Sequence, residues 1–136
     1  MREDGGVAGE RCPCGLPAAY DECCGRYHRG DQAPPTAELL MRSRFSAYAR
    51  HDEAYLRSSW HPSTRPRRID PDPALRWTRL EIVSTTGGGL LDQEGTVAFR
   101  AHHERDGRAG VLAENSRFER VSGRWVYVDA LHASLD

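Results

Sequence analysis

Apolar side chains recur at helical spacing between residues 36 and 50, with Ala37, Leu40, Met41, Phe45 and Tyr48 on one stripe. Thr36 stands where an N-cap would, and Glu38 suits the positive end of a helix dipole. Arg44 breaks the pattern, because it falls near the middle of the apolar stripe. Arg42, Ser46 and Leu39 point the other way, and Leu39 there makes sense if the cysteine module covers it. A second short helix is expected over about 52–59. Residues 60–74 carry Pro62, Pro66, Pro71 and Pro73 and read as an irregular crossover.

Beyond residue 75 the period changes from helical to alternating. Strands are expected over about 76–85, 95–105, 110–121 and 124–131. Gly87-Gly88-Gly89 separates the first two, and Asp106-Gly107 and Ser122-Gly123 are two-residue hairpin signals. Two-residue loops fix a register in which Phe99 faces Glu114, Val97 and Asp129 both face Ser116, and Phe118 faces Tyr127. One sheet face then carries Val97, Phe99, Ala101, Leu112, Phe118, Trp125 and Tyr127, and must be buried. Glu114, Ser116 and Asp129 share that face, and Arg44 is their natural partner. The expected class is α+β, with helices packed on one face of a curved antiparallel sheet.

Composition narrows the function. The chain has 136 residues, 38% of them apolar, which is enough for one modest core. The longest apolar run, Trp125 to Val128, is too short for a membrane span or a secretory signal, so no membrane insertion is expected. Nineteen basic residues, all arginine, against 20 acidic ones leave a net charge of −1, which argues against a nucleic-acid partner. Arg65-Pro66-Arg67-Arg68 is too short a basic cluster to change that, and reads as a solvated loop.

All four cysteines lie between Cys12 and Cys24, in the order Cys-Pro-Cys, eight residues, Cys-Cys. With no export signal the expected location is cytoplasmic, where clustered thiols point to metal or redox chemistry. A bond between the adjacent Cys23 and Cys24 would be strained, since their Cα atoms are about 3.8 Å apart. Crossed disulfides such as Cys12–Cys23 with Cys14–Cys24 stay open. Four thiolates are a complete tetrahedral set for Zn²⁺, and such a closed site is structural. Leu16 and Tyr20 would pack beneath it, and His28 is an alternative to Cys24 as fourth ligand. The chain thus divides into a flexible tail over 1–10, a cysteine module over 11–30 and an α+β domain over 31–136.

The stretch Cys12-Pro13-Cys14-Gly15 followed by Tyr20-Asp21-Glu22-Cys23-Cys24-Gly25 resembles the SEC-C motif, the metal-binding segment at the C-terminus of the preprotein translocase ATPase SecA. Gly25 to Gly30, Ala33 to Glu38, Leu40 to Tyr48, Trp60 to Pro66 and Trp125 to Asp129 resemble the bacterial YchJ (UPF0225) family in the same order. The resemblance spans about residues 11–131. It implies an SEC-C segment joined to an NTF2-like domain, a cone around a pocket, with no established biochemical role. It also implies zinc at Cys12, Cys14, Cys23 and Cys24, with iron as the alternative, since thiolates suit both. The family's Gly-Ser-Gly after the first cysteine pair is here Gly15-Leu16-Pro17, but the ligand spacing is kept.

The candidate pocket gathers Arg44, Glu114, Ser116 and Asp129, with Tyr48, Trp60, His61 and Trp77 as walls. The plainer reading is that Arg44 pairs with Glu114 to hold helix to sheet, and Asp129 caps a strand end. His102 and His103 alternate faces of one strand and cannot share a metal. No residue is singled out as catalytic, and the reading leans away from an enzyme. Two functions follow. One is a metal-binding accessory or adapter protein whose knuckle meets a protein partner, in export or at the ribosome. The other is a small-molecule-binding or enzymatic cone using the polar pocket for an unknown ligand.

Overall fold

The computed structural model describes residues 10–69 and 72–135, so the expected flexible tail lies almost wholly outside the described residues. A 3₁₀ turn (Tyr20–Glu22) and three helices, α1 (Cys24–His28), α2 (Ala37–Ala49) and α3 (Glu53–Ser58), precede four strands. These are β1 (Leu75–Gly87), β2 (Glu94–Arg105), β3 (Arg108–Val121) and β4 (Arg124–Leu135), paired antiparallel in sequence order. Each strand runs one or more residues past its expected start or end. No helix among the described residues is long and apolar enough to cross a membrane.

The local signals act as their chemistry requires. Thr36 Oγ1 accepts from Leu39 N at 3.1 Å, and Asp52 Oδ1 accepts from Tyr55 N at 3.1 Å, so α2 and α3 are both capped. Asp106, Gly107, Ser122 and Gly123 all have positive φ, between 51° and 81°, as two-residue hairpins with the right twist need. The β2–β3 register is the expected one, with Phe99 opposite Glu114 and Val97 opposite Ser116.

The β3–β4 register corrects the sequence reading. Phe118 does face Tyr127, but β4 then bulges at Val128 and again at Leu131. Ser116 therefore faces Ala130, and Asp129 faces Arg117. One extra residue turns every later side chain to the other face. Asp129 thus leaves the concave face and chelates Arg117, whose Nε and Nη2 each donate to it at 3.2 Å. β1 has two bulges of its own, at Thr78 and Val83.

The main core lies between α2 and the concave face: Leu40, Met41 and Phe45 pack on Leu80, Val97, Phe99, Phe118 and Trp125. Burying each such side chain contributes about 1.5–3 kcal/mol. A second cluster joins Tyr27 of α1 to Ala47, Tyr55, Leu56 and Ile69. The convex face is a layer of ion pairs instead. There Glu81 meets His102 at 2.7 Å, and Arg117 meets Glu119 at 3.0 Å.

The turn after β1 supports the start of α2. Gly88 O accepts from Ala37 N at 3.0 Å, and Gly88 has φ 76°. A Cβ there would stand 2.8 Å from the Ala37 Cβ. Gly88→Ala should therefore lower stability by about 2 kcal/mol, through backbone strain and the clash together. Urea unfolding measures it, and an unchanged midpoint would mean that the turn does not hold the helix.

Candidate metal centre and adjoining cavity

The cysteine module closes on itself through backbone bonds. Cys12 N donates to Ala18 O at 3.0 Å, and Gly15 N to Cys12 O at 3.3 Å, which puts Cys12 and Cys14 on one tight turn. Cys23 N donates to Tyr20 O at 3.0 Å, and Cys24 opens α1. The four Sγ atoms come within 4.8 Å of one another, and all four residues are buried. The Cys14 and Cys23 sulfurs are 3.7 Å apart, far beyond the roughly 2.05 Å of a disulfide. A tetrahedral Zn²⁺ with bonds of about 2.3 Å would hold its sulfurs about 3.8 Å apart. The donor set and spacing therefore fit one thiophilic ion.

Four thiols so close cannot all ionise without a cation among them. Hydrogen bonds from Cys14 and then Cys24 push the Cys12 thiol down, while the same contact with Cys12 pushes Cys14 up to about 12 and, first among its causes, raises Cys24 as well.

His28 stands outside this cluster. Its Nε2 donates to Ser43 O at 2.9 Å, which leaves Nδ1 to accept from the Tyr20 hydroxyl at 2.5 Å. Burial holds its pKa below the usual imidazole value, in keeping with a neutral ring. Both ring nitrogens are spent, so His28 is not free to stand in for Cys24 beside the other three cysteines. Leu16 and Tyr20 pack against them, as the sequence suggests.

The far side of the module rests on α2, on the face that reads as polar. Ser46 Oγ lies 3.4 Å from Cys12 Sγ, and Arg42 Nη1 donates to Cys14 O at 2.8 Å. Glu38 steadies that guanidinium at 3.0 Å. Ser43, Ser46 and Ala47 are fully buried there, so α2 is covered on both sides. The sequence reading points to this contact through Leu39, which calls for the cysteine module as its cover, and the spacing of small residues at 43, 46 and 47 is a further signal.

Gly25 sets how closely α1 approaches the turn before it. A Cβ on Gly25 would come within 2.7 Å of Tyr20 O. Gly25→Ala should spread the two cysteine pairs, and the variant should lose metal to a chelator at least tenfold faster than wild type. Equal loss rates would show that the close approach does not matter.

On the other side of α2 lies a cavity of ≈180 Å³. Of the eight expected pocket residues it takes Arg44, Tyr48, Trp60, Trp77, Glu114 and Ser116. It excludes Asp129, through the β4 bulge, and His61. Trp60 bridges to Tyr127, and His61 N donates to Tyr127 O at 2.7 Å. The His61 ring then turns outward, where its Nδ1 accepts from Ser63 N at 3.0 Å. Tyr127, Met41 and Phe45 also line the cavity, and none of them was expected there. Helical spacing from Arg44 and Tyr48 could have placed Met41 and Phe45.

Arg44 does not pair with Glu114. It is 3% exposed, and its Nη1 donates to Leu56 O at 2.9 Å and to Ser59 Oγ at 2.7 Å. The guanidinium sits between Trp60 and Tyr127, with its carbon 4.8 and 4.7 Å from their ring centres. Burial lowers its pKa. Glu114 uses one oxygen, Oε2, which accepts from Ser116 Oγ and, at 3.4 Å, from the Tyr127 hydroxyl. Burial and then the Glu114 charge push the Tyr127 hydroxyl upward. Trp77 lies edge-on to His103 on the same concave face, while His102 faces the convex side.

Residues 36–130 match the family described as YchJ, middle NTF2-like domain. A UPF0225 protein of Streptomyces avermitilis is 58% identical over 87% of this chain and 81% of its own length. One from Streptomyces coelicolor is 54% identical over 87% and 92%. The solution structure of an SEC-C motif containing protein from Rhodopseudomonas palustris aligns with a TM-score of 0.77, at 30% identity, over 88% of this chain and 95% of that one. The crystal structure of a SEC-C motif containing protein from Psychrobacter arcticus shares the fold, with a TM-score of 0.75 over 96% and 86%, at 23% identity.

Proposed function

This chain belongs to the YchJ (UPF0225) family, an NTF2-like domain behind an SEC-C-type cysteine motif, and from that premise we propose that it is a zinc-binding accessory protein of the cytoplasm. Cys12, Cys14, Cys23 and Cys24 hold the ion, and no open position is left for chemistry. The observation that carries this reading is the gathering of four buried, unbridged sulfurs within 4.8 Å of one another. Their burial suits a structural ion better than a catalytic one, and reduced thiols suit the cytoplasm. The outer surface of the knuckle then serves as an adapter for a protein partner, and the SEC-C likeness points toward export or the ribosome.

Elemental analysis of untagged protein, purified anaerobically without chelator, tests the first part. About one zinc per chain is expected. Iron would move the role toward redox chemistry, and absent metal with disulfides would overturn the reading. Pull-downs with wild type and with Cys12→Ser, Cys14→Ser test the second. Identical partners for both would remove the knuckle as the docking surface.

A second reading rests on a different observation. Arg44 and Glu114 line one cavity without pairing, and each keeps polar atoms unused. A small-molecule site accounts for that arrangement.

A further inference from the structure

We propose that the cavity beside α2 binds a small organic carboxylate that has a one-ring apolar body and a hydrogen-bond donor. This rests on the small-molecule reading and names the ligand class for it.

Arg44 carries the first half. Both of its hydrogen bonds leave from Nη1, so the edge formed by Nε and Nη2 has no acceptor among the described residues. That edge is the two-pronged side of a guanidinium, and it matches a carboxylate with two parallel bonds. The rings of Trp60 and Tyr127 fix the plane of the group. The Glu114 charge is felt by this buried cation but makes no hydrogen bond to it, and a ligand carboxylate would supply the direct partner. A phosphate is a poorer fit, because among the described residues Arg44 is the only cationic side chain that lines the cavity.

Glu114 carries the second half. Oε2 takes both hydroxyl donors, and Oε1 has no donor among the described residues. It is the natural acceptor for an ammonium or hydroxyl on the same ligand. Much of the rest of the wall, including Met41, Phe45, Phe99 and Leu112, is apolar, with the Tyr48 hydroxyl and the Trp60 indole as further polar edges. The volume of ≈180 Å³ suits one ring, since a dry cavity of about 150 Å³ already admits benzene. Aromatic α-amino acids are one member of this class, and hydroxyaryl carboxylates are another.

The test uses full-length, metal-loaded protein and four probes: phenylalanine, phenylacetate, phenethylamine and toluene. Dissociation constants come from titration, and the indole resonances of Trp60 and Trp77 report where each probe sits. Phenylalanine should move both indoles and bind at least tenfold tighter than phenylacetate or phenethylamine, each of which lacks one charge. Glu114→Gln should abolish its advantage over phenylacetate. Phenethylamine or toluene binding as tightly as phenylalanine would overturn the carboxylate class while leaving a small-molecule site in place. Phenylacetate matching phenylalanine would overturn the role given to Glu114. If no probe moves either indole, both the class and the small-molecule reading fall. The probe series does not depend on an Arg44 variant that folds.

Discussion

Stripping the metal, by chelator or by Cys12→Ser with Cys14→Ser, should lower the unfolding midpoint by about 15 °C. An ion that binds only the folded chain stabilises it by about 4 kcal/mol when free metal stands at 1,000 times its dissociation constant. For a chain of this size each kcal/mol is worth roughly 4 °C. The ion acts on more than its own loop, because Cys12 meets Ser46 and Cys14 O meets Arg42 on α2. Once the knuckle opens, the small residues at 43, 46 and 47 lose their cover. The core between α2 and the sheet involves none of these contacts, so the metal-free chain should keep its strand content. Calorimetry with far-ultraviolet circular dichroism reads both quantities. A midpoint that moves by less than 2 °C would mean that the knuckle is an appendage rather than a wall.

Arg44→Ala should cost about 4 kcal/mol, and Arg44→Met should recover at least half of it. Truncation to Ala removes two charge-assisted hydrogen bonds, worth about 1.5–3 kcal/mol each, and two stacked rings lose their cation. It also enlarges a cavity that is already there, which adds to the cost. Against this, the desolvation of the guanidinium is relieved, and that term is several kcal/mol. Met keeps most of the volume and shares that relief, so it separates packing from charge. Urea denaturation of the three chains decides between the two. If Met is as damaging as Ala, the hydrogen bonds to Leu56 O and Ser59 Oγ dominate.

Much of the fold could be read from local rules. Thr36 and the apolar stripe after it place α2 within a residue, and Asp106-Gly107 fixes the β2–β3 register completely. The grouping of the four cysteines could be read from spacing, because they lie within thirteen residues and need no tertiary information. Asp129 could not. Nothing local announces the β4 bulge at Val128, and the whole error follows from that one extra residue. Arg44 was legible as an anomaly but not in its partner. The sequence offers a carboxylate, while the fold supplies a helix C-terminal carbonyl, a serine and two rings. The face of α2 turned to the knuckle was legible at Leu39, which calls for a cover, but not at Ser43 and Ser46, because serine looks solvent-facing until a second layer is known to lie on it.

All four bulged residues, Thr78, Val83, Val128 and Leu131, belong to β1 and β4, and the two inner strands have none. Val83 and Leu131 are more than half exposed for this reason. An open four-stranded sheet has two edges with spare hydrogen-bonding groups, and a flat edge invites another strand. Bulges interrupt the ladder and sharpen its twist, so neither edge offers a long straight template. Among the described residues the sheet stops at four strands, and its interrupted edges disfavour edge-to-edge pairing between copies of the chain.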